Sequence, residues 1–412
     1  SDNEIEEILG ASKDDKELMN AWLAHKKIGP LVYGDIKELV KKRNEMARSL
    51  GFANYHTMSL TMSEQDPEQL EKLFDELDNL TRASFMQAKD EIDEYLSKRI
   101  GLDKSKLMPW HYQNRFFQEA PSIYPTDFDA FYKDKDLVKL TTEYYQSIGL
   151  DITDIMKNSD LYEKPGKNQH AFCIDIDNQG DVRVLCNLKP NQKWMNTMLH
   201  EYGHAVYDQY LDFSMPVVLR EPAHTFTTEA IAMLFGRMAS SAKWISDMTG
   251  VPDDEARKIS DDAARTLRLE QLVFSRWSQV MYRFEKAMYA DPDQDLNALW
   301  WSLVEKYQLL KKPEGRDMPD WATKIHIATS PCYYHNYQLG ELLASQLHYY
   351  IVNNFCSDKD YRYQSYMNNT KAGEFLKTKV FDPGSRYFWN EMIEKATGEK
   401  LTAKYYAQQF LK

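Results

Sequence analysis

The stretch that decides the fold contains two histidines one helical turn apart: Met198-Leu199-His200-Glu201-Tyr202-Gly203-His204-Ala205-Val206. On a helix, residues i and i+4 lie on one face, so His200 and His204 can both point an imidazole nitrogen at one metal ion, with Glu201 beside it. We therefore predict a helix that carries two metal ligands and a general base. Zinc is the metal that this pattern indicates.

A catalytic zinc ion takes three protein ligands and leaves one position for water, so a third donor must come from elsewhere in the chain. Glu229 lies 25 residues after His204, and Pro216 and Pro222 stand between them. This length lets the chain reverse direction, and the apolar run after Glu229 is typical of a second helix. The sequence therefore predicts one zinc ion per chain, bound by His200, His204 and Glu229.

Much of the remaining sequence predicts helices, several of which lead to a glycine. Before the motif they cover residues 15–27, 35–50, 67–100 and 136–148, followed by Gly29, Gly51, Gly101 and Gly149. After the motif we expect helices over residues 253–289, 296–310, 333–355 and 387–396. The predicted fold class is mainly α, with a small antiparallel sheet near the zinc helix.

That sheet is predicted at residues 171–186, where polarity alternates about Gln179-Gly180 as in a hairpin. A fold about these two residues places Cys173 opposite Cys186. A disulfide and two unrelated buried thiols are both open interpretations. A bridge would indicate an oxidising compartment, the periplasm or the cell exterior, which is the localisation that we favour, whereas free thiols would fit a cytoplasmic enzyme.

Composition excludes several function classes. The 412 residues carry a formal net charge of −12, which argues against nucleic acid or an anionic membrane as the main partner. No apolar run approaches the ~20 residues that span a bilayer. We find no repeat or flexible linker, so we expect one catalytic domain over residues 1–412, with lobes at roughly 1–165 and 166–412. The oligomeric state is not indicated.

The chain resembles the angiotensin-converting enzyme family of zinc peptidases, whose relatives include the thimet oligopeptidases and oligopeptidase F. Besides the zinc motif and Glu229, the resemblance is carried by Leu18-Met19-Asn20-Ala21-Trp22, Pro216-Val217-Val218-Leu219-Arg220-Glu221, Trp300-Trp301-Ser302-Leu303 and Lys306-Tyr307-Gln308. It runs from about Glu4 to near the C-terminus. It implies a two-lobed helical metallopeptidase of the gluzincin type, with a deep cleft.

The resemblance also implies roles for residues near the hairpin and after the tryptophan pair. His170 and Ala171 would bind the substrate backbone, as an edge strand binds an extended peptide. Lys324 and Tyr334 would hold a free C-terminal carboxylate.

His326 and Tyr337 would stabilise the oxyanion. The spacing between them is one residue longer than in converting enzymes, so Tyr333, Tyr334 and Tyr337 are alternatives for the hydroxyl donor. We prefer Tyr337.

Four departures from the family pattern modify these expectations. Asn336 and Glu285 stand where converting enzymes have chloride-binding arginines, which argues against chloride activation. Met233 stands where a carboxylate orients a zinc histidine, so that histidine needs another partner. The family's N-terminal lid helices have no counterpart, and a separate N-terminal lid fragment is therefore an expected partner.

The expected function is zinc-dependent hydrolysis of short peptides with release of C-terminal dipeptides. Glu201 would take the proton from water and pass it to the leaving amine. Two alternatives remain: an oligoendopeptidase of the thimet or oligopeptidase F type, and an inactive peptide-binding pseudo-peptidase. The intact set of His200, Glu201, His204 and Glu229 argues against the second.

Overall fold

The computed structural model describes residues 2–124, 126–168 and 170–411. It is mainly α-helical with one two-stranded sheet, which confirms the predicted class. The helices before the sheet are α1 (Asp2–Ala11), α2 (Asp15–Lys26), α3 (Gly29–Ser49), α4 (Tyr55–Met62), α5 (Pro67–Ile100), α6 (Leu137–Ser147) and α7 (Thr153–Asn158). The sheet consists of β1 (Phe172–Asp175) and β2 (Val182–Leu185).

The helices after the sheet begin with α8, which carries the His-Glu-x-x-His motif. They are α8 (Gln192–Gln209), α9 (Thr225–Gly236), α10 (Ala242–Thr249), α11 (Asp253–Ala290), α12 (Leu296–Leu303), α13 (Ile325–Thr329), α14 (His335–Phe355), α15 (Thr370–Leu376), α16 (Trp389–Thr397) and α17 (Lys404–Phe410). Helix α12 is shorter than expected because a π-helical turn, Val304–Gln308, follows it and leads to Leu309 at φ 56°.

Local signals explain why several helix limits were predictable, although α3 begins at Gly29, six residues before the expected start. Helix α5 begins after Asp66, whose carboxylate accepts the backbone N–H groups of Glu68 and Gln69 at 2.9 Å. It ends at Gly101, which adopts φ 78°. Gly51 and Gly149 also lie in the left-handed region that ends a helix.

Gly29 has a different role from the predicted helix stop. It begins α3, and a Cβ atom there would lie 2.3 Å from the carbonyl oxygen of Pro319. The position therefore needs glycine for close backbone contact rather than for left-handed geometry.

The chain forms two compact units, each built from separate stretches of sequence. Unit 1 comprises residues up to Ile123, Arg268–Gln338 and Leu411, and unit 2 comprises Tyr124–Leu267 and Leu339–Phe410. These limits differ from the expected division near residue 165. The physical reason is that α11 and α14 each contribute residues to both units, so neither unit is one continuous stretch.

The hairpin lies in unit 2 at the predicted place, but the predicted register was wrong. Cys173 pairs with Val184 rather than Cys186, and both cysteines are free thiols. Just beyond the two strands, the N–H of Ile176 donates to the carbonyl oxygen of Asp181 at 3.1 Å, which leaves a four-residue loop, 177–180. The Asp177 carboxylate accepts the backbone N–H groups of Gln179 and Asp181 at 2.9 and 3.2 Å. These side-chain bonds move the fold point away from Gln179-Gly180. The structure therefore shows two separate thiols rather than the disulfide that the predicted register allowed, and localisation in an oxidising compartment stays a prediction.

In unit 2, the hairpin and α6 both pack on α8. The hydroxyl of Tyr145 on α6 donates to the carbonyl oxygen of Leu199 on α8 at 2.6 Å. Tyr144, Tyr145 and Trp244 are fully buried here. Helix α8 is thus held on several sides, which fixes the direction of the face that carries His200 and His204.

Hydropathy gives one further result for the described part of the chain. None of its helices has both the length and the apolar character that a bilayer crossing needs.

Candidate metal centre

Helix α8 presents its histidines because its opposite face is buried. Asn191 caps the helix by accepting the N–H of Trp194 at 2.9 Å. Met195, Met198, Leu199 and Tyr202 are fully buried on the apolar side. His200 and His204 therefore lie together on the less buried face.

Helix α9 supplies the third side chain. Thr227 closes its first turn, since the threonine hydroxyl donates to the carbonyl oxygen of His224 at 2.7 Å and accepts the His224 N–H at 3.1 Å. Ala230 and Ile231 are fully buried. Glu229, next to them, keeps a side-chain exposure of 17%, the same as His204.

The two helices cross unusually closely at Gly203. A Cβ atom there would lie 2.7 Å from the Cα atom of Ala232 and 3.1 Å from the carbonyl oxygen of Ile231. Real Cβ atoms do not approach backbone this closely, so only glycine fits. The side-chain amide of Asn196 also donates to the carbonyl oxygen of Gly236 at 2.9 Å, which ties the helices at a second point.

The crossing brings the three predicted ligands together, as the sequence led us to expect. Nε2 of His200 and Nε2 of His204 lie 3.7 and 3.9 Å from Oε2 of Glu229. One ligand atom from each residue lies within 4.8 Å of the other two. Among the described residues, this is the one set of three or more His, Cys, Asp and Glu side chains close enough to share a metal ion. Two imidazoles and one carboxylate form the donor set of a catalytic zinc site with an open position.

The electrostatics of the site also suit a cation. Burial lowers the pKa of His200 to about 4, and burial together with His200 lowers the pKa of His204 to about 3. Both imidazoles are therefore neutral at neutral pH, the form that binds metal. Burial raises the pKa of Glu229 to about 7. A bound cation would favour its ionised form.

Glu201 lies beside this group on α8 and is 9% exposed. Burial raises its pKa to about 7, with a further contribution from the charge of Glu229. A carboxyl that titrates near neutral pH suits an acid–base role, because it can both accept and return a proton.

Thr228 is the histidine partner that the sequence left unidentified. Its hydroxyl lies 2.7 Å from Nδ1 of His204. When Nε2 of His204 binds metal, the proton stays on Nδ1 and can be donated to this hydroxyl, which fixes the ring. A signal was present in the sequence, since Thr228 directly precedes the predicted ligand Glu229, but the direction of its side chain could not be known before the two helices were placed.

The remaining predicted site residues of unit 2 lie at the start of the hairpin. His170 is exposed, and its backbone N–H donates to the side-chain oxygen of Asn168 at 3.0 Å. Ala171 immediately precedes β1.

Four further predicted residues lie together in unit 1. The ring of His326 lies 5.0 Å from that of Tyr334 and 6.4 Å from that of Tyr337, between centroids. Tyr333 also packs on Tyr337, at 5.4 Å. The three alternative tyrosines are thus neighbours.

Lys324 is buried beside this group. Its Nζ atom donates to Oε1 of Gln118 at 2.5 Å and lies 5.1 Å from the centre of the Tyr334 ring. Burial, with a smaller effect of Arg115, lowers the pKa of Lys324 to about 8. Gln118 was missed by the sequence reasoning, because it lies 206 residues from Lys324 and belongs to no motif.

The described residues form a mainly helical protein in which two histidines and one glutamate converge closely enough to hold a metal ion. A family model described as angiotensin-converting enzyme matches residues 119–410, and the chain belongs to that family.

Its curated relatives share modest identity. They include angiotensin-converting enzyme of Mesocricetus auratus, 24% identical over 84% of this chain and 28% of the relative. The angiotensin-converting enzyme-like protein Ace3 of Mus musculus is 22% identical over 96% of this chain and 57% of the relative. Angiotensin-converting enzyme of Haematobia irritans exigua is 24% identical over 79% of this chain and 58% of the relative. The chain thus spans less than two thirds of the length of each of these relatives.

We predict that Thr228→Val lowers zinc affinity about 10- to 100-fold, because it removes the hydroxyl that orients His204 while keeping the side-chain shape. Thr228→Ser keeps the hydroxyl and should bind zinc almost as tightly as the wild type. Competition with a chromophoric chelator measures both constants. Equal affinity of the valine variant and the wild type would remove Thr228 from this role.

Proposed function

We propose that this chain is a zinc-dependent peptidase that hydrolyses short peptides and releases dipeptides from their C-termini. The observation that supports it most is the convergence of His200, His204 and Glu229, with Glu201 beside them. A zinc ion held by these three ligands supplies a Lewis acid that polarises the scissile carbonyl and activates water.

Glu201 performs the proton transfers in this proposal. As a carboxylate it accepts a proton from the attacking water, and as a carboxylic acid it gives that proton to the leaving amine. Its pKa of about 7 lets it serve in both directions near neutral pH.

His326 and Tyr337 are the proposed hydrogen-bond donors to the oxyanion. Burial, together with the charge of Lys324, lowers the pKa of His326 to about 4. The imidazole is therefore neutral at neutral pH and donates without a charge of its own. Such a donor contributes roughly 3 to 4 kcal/mol in other acyl-transfer sites.

Lys324, Gln118 and Tyr334 would hold the C-terminal carboxylate of the substrate. With a pKa of about 8, Lys324 is mainly protonated at pH 7. Its low exposure, 6%, strengthens an ion pair relative to one on a wet surface.

The outer edge of β1 would bind the substrate backbone. Because Ile176 bonds to Asp181 and bonded pairs alternate along an antiparallel ladder, the N–H and C=O groups of Ala171 and Cys173 face away from β2. An extended peptide can pair with such an edge, which supports the role proposed for His170 and Ala171.

Glu201→Gln tests the chemistry. We expect zinc binding close to that of the wild type and a loss of kcat of at least 100-fold, since an amide cannot accept the proton. Turnover is measured on short peptides, with chelator-treated wild type as the inactive control. Near-normal turnover in the variant would reject Glu201 as the base, and no turnover by zinc-loaded wild type would favour the inactive pseudo-peptidase.

Lys324→Ala tests the mode of cleavage. It should lower kcat/KM at least tenfold for peptides with a free C-terminus and have little effect on C-terminally amidated peptides. Lys72→Ala, at an exposed position of the same unit, is the matched control. Mass spectrometry identifies the products, which should be dipeptides. Equal losses on both substrate types, or internal cleavage regardless of the C-terminus, would favour the oligoendopeptidase alternative.

A further inference from the structure

A short turn in unit 1 joins the two proposed oxyanion donors. We call Ser330–Tyr334 the 330–334 turn. Helix α13, which carries His326, precedes it, and α14, which carries Tyr337, follows it. The conformation of this turn therefore sets the separation of the His326 and Tyr337 side chains.

The turn has a backbone geometry that needs support. Cys332 adopts φ 55°, in the left-handed region that a non-glycine residue enters only at a free-energy cost. Such a conformation persists when surrounding contacts specify it.

Glu285, on α11, contacts the turn at this residue. Its carboxyl oxygen Oε1 accepts the backbone N–H of Cys332 at 2.8 Å. The Glu285 side chain is buried, with 2% exposure. Burial of a carboxyl group costs free energy unless the group is hydrogen-bonded. The bond to Cys332 offsets part of this cost and so explains how a buried glutamate is tolerated at this position.

Arg43, on α3, supports the other end of the connection. Its Nη2 atom donates to the carbonyl oxygen of Ala328 in α13 at 3.1 Å, and its Nη1 atom donates to the hydroxyl of Tyr289 at 3.1 Å. Tyr289 lies one helical turn after Glu285 on α11. Two neighbouring turns of α11 thus support this connection. Glu285 bonds directly to Cys332 in the turn, and Tyr289 bonds to Arg43, which in turn bonds to Ala328 in α13.

The protonation state of Glu285 is compatible with this bond. Burial raises its pKa to about 8, while the Cys332 N–H and the charge of Arg43 act in the opposite direction. A carboxyl oxygen can accept an N–H in either form, so the contact does not require a negative charge.

We infer that Glu285 is a positioning residue: through the Cys332 amide it fixes the 330–334 turn and so places His326 and Tyr337 relative to each other. This inference rests on the proposed function, because it is there that His326 and Tyr337 are assigned as oxyanion donors. Glu285 itself acts through the turn and not on the substrate.

The expected kinetic effect is on kcat rather than KM. Oxyanion donors act in the transition state, and a displacement of about 1 Å can cost 100-fold in rate. Lys324 precedes α13 and is held separately by Gln118. Tyr334, at the end of the turn, also packs on Trp277 of α11, with ring centroids 6.0 Å apart. Both proposed carboxylate-binding residues thus keep contacts that do not involve Glu285, so substrate binding should persist.

The test compares Glu285→Gln with Glu285→Met. Glutamine keeps an oxygen that can accept the Cys332 N–H, and we expect its kcat within about threefold of the wild type. Methionine fills the same space without an acceptor, and we expect kcat to fall about 10- to 100-fold with KM within about threefold. If the methionine variant does not fold, Glu285→Asp replaces it, because the shorter side chain withdraws the acceptor and should lower kcat in the same way.

Hydrogen exchange gives a readout that does not depend on activity. Exchange in residues 328–334 should be faster in the methionine or aspartate variant than in the wild type, and unchanged in the glutamine variant. Unchanged exchange and kcat in the methionine or aspartate variant would overturn the inference, as would equal loss in the glutamine variant. If the wild type cleaves no peptide, the proposed function fails, and the exchange data still decide whether Glu285 holds the turn.

Discussion

The close crossing of α8 and α9 at Gly203 is the constraint on which the metal centre depends. The two histidines come from one helix and the glutamate from the other, so the distance between the helices sets the distances between ligand atoms. At Gly203 there is no space for a Cβ atom, because the Ala232 backbone occupies it. A wider crossing would move Glu229 away from both imidazoles and weaken any shared coordination.

The same packing explains the electrostatics of the site. Burial keeps His200 and His204 neutral and raises the pKa values of Glu201 and Glu229 to about 7. At neutral pH the site therefore contains two neutral imidazoles and two carboxyls that are near the midpoint of their titration. A divalent cation could bind the neutral imidazoles directly and would favour the ionised form of the glutamates. Metal binding would therefore release protons.

Local sequence signals predicted the parts of the structure that depend on neighbouring residues. The i, i+4 spacing of His200 and His204 and the capped ends of α5 belong to this class. Signals of this kind cannot reveal contacts between stretches that are distant in sequence. An example is the hydrogen bond between Lys324 and Gln118, which lie 206 residues apart. The hairpin register was wrong because Asp177 side-chain bonds, which alternation does not show, extend the loop to four residues.

The most direct test of this account is the zinc affinity and unfolding free energy of Gly203→Ala. Gly34→Ala is the control, since a Cβ atom there has open space within α3. We predict one zinc ion per wild-type chain. For Gly203→Ala we predict weaker zinc binding and a loss of about 1 to 3 kcal/mol of unfolding free energy from overpacking. The control should be neutral or slightly stabilised. Unchanged zinc affinity and stability in Gly203→Ala, or no zinc binding by the wild type, would contradict the claim that the crossing at Gly203 builds a zinc site.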